Sequence, residues 1–232
     1  MKPVCMVVFD LDGTLIEGRS SWGRIHEFFG TERKGEDGLE RYERGEIDYV
    51  EFMKRDVSAW PLGISRSALE SILSGFTFST GATDCTRGLR ERGVKMGVIS
   101  SGLDLLANMV CRDLGIESCI ANGLVFDQRG RLTSDVLPRV DLLRKDEALK
   151  RMASEQALQL DEILGVGDTH FDIPLLRACG YRVAFKPKSK DKSKLEEIAH
   201  YFVDDLRELL PIVDTIMESS DVKHKQRNRQ NP

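Results

Sequence analysis

The sequence is poor in the features that tie a chain to an oxidising compartment, a membrane or a polyanion. Its five cysteines (Cys5, Cys85, Cys111, Cys119 and Cys179) are odd in number and scattered, and none forms a Cys-x-x-Cys pair. That argues against a disulfide framework or a zinc site and predicts reduced thiols. The longest apolar run, Val4–Phe9, is far short of the roughly 20 residues that span a bilayer. The amino-terminal residues also lack the charged segment, longer apolar stretch and small-residue cleavage site of a secretory signal. Neither sign of charge dominates: 34 Lys+Arg against 38 Asp+Glu leaves a formal charge of −4, which sets aside bulk attraction to nucleic acid or anionic lipid. What is present is an ordinary globular composition, 41% hydrophobic and 31% charged, enough to bury a substantial core. At about 150 residues per domain, 232 residues make one large domain or one domain with an insert. The expectation is a cytoplasmic globular protein, monomer or homodimer, with no nucleic-acid or membrane partner.

Pro3–Phe9 is a continuous apolar stretch rich in β-branched residues that ends abruptly at Asp10. A strand buried on both faces of a parallel sheet has this pattern. Val94–Ile99 and Ile163–Val166 are two more such runs, and Tyr181–Phe185 and His200–Val203 read as further strands. Helical patterns lie between them: Thr86–Arg92, Leu103–Leu114, and a helix after Asp141, read as its N-cap, with Leu142, Leu149, Met152 and Ala153 as the inward stripe. The alternation predicts an α/β fold, a Rossmann-like three-layer core around a parallel sheet. One stretch breaks it. Between Arg19 and Gly75 only helical segments occur, roughly Ser21–Phe29, Glu36–Arg44, Tyr49–Ala59 and Arg66–Ser74. The division is therefore a core of residues 1–18 and 76–218, a helical insert at 19–75, and a polar basic tail at 219–232, expected to be a frayed end. Leu124–Phe126 and Arg131–Thr133 flank a Gly-containing turn and predict a β-hairpin.

The chemistry gathers where strands end. Asp10-Leu11-Asp12-Gly13-Thr14 follows the first strand, and ligands of open α/β sheets bind beyond the carboxyl ends of the strands. Two carboxylates two residues apart can converge on one site, one as nucleophile and the other moving protons. Ser100 and Ser101 follow the second strand and offer hydroxyls and backbone N–H groups for an anion, although an ordinary helix cap has the same composition. Gly167-Asp168 follows the third, with Asp172 four residues on. Asp172 also suits the start of a helix, and Lys145, in the first turns of its own helix, also suits a surface position. Carboxylates converging in this way repel unless a hard cation neutralises them, and oxygen-only donors favour Mg²⁺.

In these residues the sequence resembles the haloacid dehalogenase superfamily of phosphohydrolases, and within it the phosphoserine phosphatase-like branch. The four motifs occur in order: Asp10-Leu11-Asp12-Gly13-Thr14, Ser100, Lys145, and Gly167-Asp168 with Asp172. The helical insert is similar to that branch's C1-type, four-helix cap, and Leu124–Asp135 to its hairpin. The resemblance implies a Mg²⁺-dependent phosphatase acting on a small phosphorylated metabolite. In it Asp10 is the nucleophile that becomes an aspartyl-phosphate, and Asp12 is the acid and then the base. Asp10, Asp168 and the Asp12 backbone carbonyl hold Mg²⁺, with Asp172 supporting the metal's water shell. Ser100, the Ser101 N–H and Lys145 hold phosphoryl oxygens.

Three positions depart from that branch, and all concern the substrate. Where its members carry a glutamate for the substrate ammonium, nine residues after the nucleophile, this chain has Arg19. An alignment of Phe52–Trp60 puts Asp56 where they carry an arginine for the substrate carboxylate, and a shift of one residue puts Arg55 there. With Asp56 in that place the two charges are exchanged and are expected to pair with each other, which selects against a zwitterionic amino-acid phosphate. Thr169-His170-Phe171 replaces small residues and an asparagine, so that His170 becomes a candidate contact. Trp22 and His26 suit either packing inside the insert or the leaving group. A phosphomutase and a phosphoacceptor regulatory domain are the alternative functions on this fold.

Overall fold

The computed structural model describes residues 2–230, with side chains described to residue 220. Its centre is β1 (Met6–Phe9), flanked in parallel by β2 (Lys95–Leu103) and β5 (Ile163–Gly167). Beyond them lie β3 (Ser118–Phe126) and β4 (Leu132–Leu137) on one side, and β6 (Tyr181–Phe185) and β7 (Tyr201–Val203) on the other. The sheet has seven strands in the order β4-β3-β2-β1-β5-β6-β7, and only β4 runs antiparallel, as the return arm of a hairpin from β3.

The period of two in β1 sorts its side chains between two buried layers. Met6 and Val8 pack with Ile99, Leu149 and Met152 on one face, the last two from α7 (Lys145–Glu155). Val7 and Phe9 join the larger cluster on the other face, which takes in Cys85 and Leu89 of α5 (Ala82–Glu91) and Leu106 and Val110 of α6 (Asp104–Leu114). The predicted three-layer core is therefore present.

The four expected insert helices lie between β1 and α5: α1 (Ser21–Phe29), α2 (Glu32–Glu43), α3 (Tyr49–Ser58) and α4 (Arg66–Leu73). Ser20, Asp48 and Ser65 cap three of them, each accepting a backbone N–H of the first turn. Helix α2 starts four residues earlier than expected, at Glu32 rather than Glu36, because Gly35 does not break it. A Cβ there would meet the His26 ring at 2.9 Å, so this glycine permits close helix packing. Arg24 of α1 ties the two connections between insert and core, donating to Glu17 O at 2.8 Å and to Gly75 O at 3.2 Å. The hairpin reaches the insert too: Gly63 N–H donates to Leu132 O and Leu132 N–H to Ile64 O.

Several boundaries differ from the sequence reading. β2 runs on through Ser100 and Ser101 to Leu103, with its register to β3 broken between Ser100 and Leu103. β3 begins at Ser118, six residues before the expected hairpin arm, in a segment whose apolar run is only Cys119–Ala121. Asp141 is not a helix cap: α7 starts at Lys145, while Asp141 Oδ1 accepts from Leu143 N in a tight turn and from the Tyr42 hydroxyl of the insert. Leu142 is accordingly absent from the α7 stripe. Two more helices precede the last: α8 (Ile173–Ala178) after β5 and α9 (Ser189–Glu196), unforeseen in a lysine-rich stretch, after β6. The backbone of the basic tail, expected to be frayed, continues α10 (Leu209–Gln230); its side chains beyond 220 lie outside the described residues.

Candidate active site

Asp10 leaves the end of β1 with its N–H still bonded to Val166 O at 2.9 Å, so the sheet itself fixes its direction. The chain then turns back at Gly13, whose φ of 95° is a left-handed value. A Cβ at Gly13 would lie 2.3 Å from Asp168 Oδ2, so the bare backbone lets the β1 and β5 loops close on each other. Thr14 Oγ1 completes that contact, donating to Asp168 Oδ1 at 3.0 Å.

Lys145, 2% exposed at the first position of α7, sends its ammonium to the same place. Nζ donates at 2.6 Å to Asp10 Oδ1 and at 2.6 Å to Asp172 Oδ1. The second oxygen of Asp172 accepts from Asp168 N–H at 3.0 Å, Thr169 N–H at 2.9 Å and the Thr169 hydroxyl. Asp172 is thus fully engaged in shaping the loop. Asp10 and Asp168 each keep one oxygen that takes no donor from the described residues.

Oxygens of Asp10, Asp168 and Asp172 lie within 4.8 Å of one another. Burial first, and the Asp172 carboxylate after it, push Asp168 up to about 7. Burial likewise raises Asp10, with Lys145 pulling against it. Lys145 is buried but is held charged by the two carboxylates, well above the ordinary lysine range. One ammonium among three carboxylates leaves an excess of negative charge and free hard-oxygen donors on Asp10 and Asp168. The donor set fits a divalent cation such as Mg²⁺.

Asp12 is placed differently. Its Oδ2 accepts from the Ser21 N–H of α1 at 3.4 Å, while Oδ1 is buried without a partner. Burial pushes its carboxyl up to about 6, with the Ser21 N–H opposing. A carboxyl of that kind can give and take a proton near neutral pH.

Ser100 Oγ accepts from Gly102 N–H at 3.0 Å, which leaves its own proton for another acceptor. The Ser101 carbonyl is held by three donors: Trp22 Nε1 at 3.0 Å, the Tyr49 hydroxyl at 3.3 Å and Asn122 Nδ2 at 2.8 Å. Asn122, missed in the sequence reading, is wholly buried. Its amide also donates to the Tyr49 hydroxyl and Val140 O, and it accepts from Arg139 N–H and Val140 N–H. It therefore locks the Ser100–Ser101 turn to the segment leading to Lys145. Asn122 lies two residues before the expected hairpin arm, Leu124–Phe126, so no predicted element drew attention to it.

Asp10, Asp12, Ser100, Ser101 and Lys145 line one cavity of about 390 Å³. Its remaining walls come largely from the insert and include Arg19, Trp22, His26, Tyr49, Phe52 and Asp56. Arg19 and Asp56 do not pair as expected. Arg19 faces Glu27 at 3.3 Å on the exposed side of α1, and Asp56 faces His26 at 3.2 Å in the interior. His170 is not part of the wall, although its neighbours Thr169 and Phe171 are. Its ring is bound by Asp191 at 2.5 Å and lies 3.5 Å from Glu43 of the insert, so it bridges core and insert instead. Trp22 serves both readings, packing on Trp60 with ring centres 5.5 Å apart and bonding Ser101.

The model of the haloacid dehalogenase-like hydrolase family matches residues 7–177. The chain is 32% identical over 217 residues to the phosphoserine phosphatase of Idiomarina loihiensis, covering 92% of this chain and 94% of that one. It is 28% identical over 223 residues to the phosphoserine phosphatase SerB2 of Mycobacterium tuberculosis, covering 93% of this chain. The chain spans about half the length of that relative, 53%. A solved phosphoserine phosphatase carrying an analogue of the phospho-aspartyl intermediate superposes with a TM-score of 0.75 at 27% identity, over 91% of this chain and 99% of that one.

Proposed function

Since the chain belongs to the haloacid dehalogenase-like hydrolases and is a phosphatase of that family, we propose that it hydrolyses small phosphomonoesters through an aspartyl-phosphate formed on Asp10. The observation that carries the reading is the pairing at the end of β1. Asp10 is aimed by Lys145 at 2.6 Å, and two residues on Asp12 has a buried oxygen without a partner. The free oxygen of Asp10 attacks phosphorus as the ester P–O bond breaks. Asp12, protonated, gives its proton to the departing alkoxide, so that a neutral alcohol leaves. As a carboxylate it then takes a proton from water, the water oxygen bonds to phosphorus, and the bond to Asp10 breaks. Inorganic phosphate and the starting carboxylates result. The Ser100 hydroxyl, the Ser101 N–H and the Lys145 ammonium bind the phosphoryl oxygens, and such positioning accounts for most of the catalysis in phosphoryl transfer.

Mg²⁺ held by Asp10, Asp168 and the Asp12 backbone carbonyl would supply the positive charge that brings a phosphate dianion into a site lined with carboxylates. The insert acts as a cap: Ser21 N–H, Trp22 and Tyr49 reach from it to Asp12 and Ser101, so its seating aligns these groups and excludes bulk water. The relatives' substrate, phosphoserine, belongs in any panel, but Asp56 offers its carboxylate the wrong sign.

The test is phosphate release with Mg²⁺ from a panel including phosphoserine and p-nitrophenyl phosphate, with Asp10→Asn alongside. Metal-dependent release that disappears in the variant is expected. Phosphate moved within the substrate instead of released would point to a mutase. A stable acyl phosphate without turnover would point to a phosphoacceptor.

A further inference from the structure

The insert side of the cavity holds a buried carboxylate whose one close partner is poorly aligned. Asp56 is 2% exposed and His26 3%, and both border the cavity. Their 3.2 Å contact is angled so that Asp56 Oδ1 and His26 Nε2 are each left without a hydrogen bond. Trp60 Nε1 approaches His26 Nδ1 at 3.2 Å, and an indole N–H can only donate. The Thr31 hydroxyl lies 2.8 Å from the same atom, so Nδ1 is taken up by Trp60 and Thr31 and only Nε2 faces Asp56.

No other cation serves Asp56. Among the described residues lining the cavity the cations are Lys145, committed to Asp10 and Asp172, and Arg19, turned to Glu27. Glu32 and Glu36 line the same side, and aromatic faces from Trp22, Tyr49 and Phe52 make up much of the rest. A buried carboxylate oxygen without a hydrogen bond is costly, and such groups cluster at sites that bind ligands. Aromatic walls beside it suit an ammonium, attracted to the ring faces as well as to the carboxylate. A leaving group bearing a carboxylate would meet Asp56, Glu32 and Glu36 with no free cation to offset them.

The geometry points to a phosphorylated amino alcohol as substrate, its ammonium seated on Asp56 in the aromatic chamber and its phosphate on Asp10, Ser100 and Lys145. This rests on the phosphatase reading for the phosphate end and adds what occupies the other.

The experiment compares kcat/KM for phosphoethanolamine, phosphocholine, ethylene glycol monophosphate, glycerol phosphate and phosphoserine, with p-nitrophenyl phosphate as a general substrate. A preference of about 10- to 100-fold for the cationic esters over ethylene glycol monophosphate is expected. Asp56→Asn should collapse that ratio. Equal rates for cationic and neutral esters, or a preference for phosphoserine or glycerol phosphate, overturn the inference while leaving the phosphatase reading intact. Failure to hydrolyse any ester, p-nitrophenyl phosphate included, overturns the phosphatase reading instead. Calorimetric binding of phosphoethanolamine against ethylene glycol monophosphate to the wild-type protein then decides the inference by itself. Tighter binding of the cationic ester supports it, and equal binding sinks it. The wild-type comparisons keep it falsifiable should Asp56→Asn not fold.

Discussion

The strand-end floor of the cavity and the wall built by the helical insert bury charge in opposite ways. On the floor, Asp10 and Asp172 share the Lys145 ammonium, Asp168 takes the Thr14 hydroxyl, and Asp172 accepts three further donors. Oxygens of Asp10, Asp168 and Asp172 lie within 4.8 Å of one another there, as a site for a cation requires. In the wall, Asp56 faces the His26 imidazole at 3.2 Å without a hydrogen bond. The floor is largely assembled before a ligand arrives, and the wall is completed by one. A general phosphatase centre thus needs rigid compensation, whereas selectivity can reside in a deliberate deficit of charge.

The comparison breaks first if the floor does not carry the chemistry. Asp10→Asn should lower phosphate release by about 10⁴-fold or more, measured with a substrate that makes little use of the chamber. Next comes the cost of uncovering charge. With metal chelated, Lys145→Met should lose about 3–5 kcal/mol in denaturant unfolding, because it strands buried carboxylates. Asp56→Asn should lose no stability and gain up to about 1–4 kcal/mol, because it removes a poorly paired buried charge; a loss equal to that of Lys145→Met would make the Asp56–His26 contact structural and end the contrast.

Metal addition probes the same asymmetry more gently. At about 100 times its Kd, Mg²⁺ should stabilise the native protein by about 2.7 kcal/mol, a Tm rise of about 5–10 °C. That rise should vanish in Asp168→Asn and persist in Asp56→Asn. The smallest effect is expected where the two regions touch. Tyr49→Phe removes a hydroxyl shared by Asn122 and Ser101 and should cost about 0.5–1.5 kcal/mol. A larger rise in KM than fall in kcat would show that this contact seats the insert rather than the nucleophile.

Much of the floor was legible because its information is local. A doubly buried strand must be an apolar run, and the residue after it must be where polar chemistry begins, so Asp10, Ser100 and Asp168 declared themselves by position. Local chemistry also misled. Asp141 has the composition of a helix cap, yet it closes a turn and receives Tyr42, since an Asx turn and an N-cap use the same side-chain acceptor. Gly35 resembled a break and is a point of close packing. The first part of β3 was hidden because its burial comes from β2 and α6 rather than from its own residues.

By itself, the sequence determined the alternation of strands and helices, the placement of a helical insert after the first strand, and the residue types at the strand ends. Periodicity and side-chain chemistry are written along the chain, and they need no partner to be read. The tertiary structure alone decided the partners. It gave Arg19 to Glu27 and Asp56 to His26, moved His170 out of the cavity to Asp191, and set Asn122 behind Ser101. A side chain's charge is a property of the residue, but whether that charge is compensated depends on distances of a few ångströms between segments far apart in the chain.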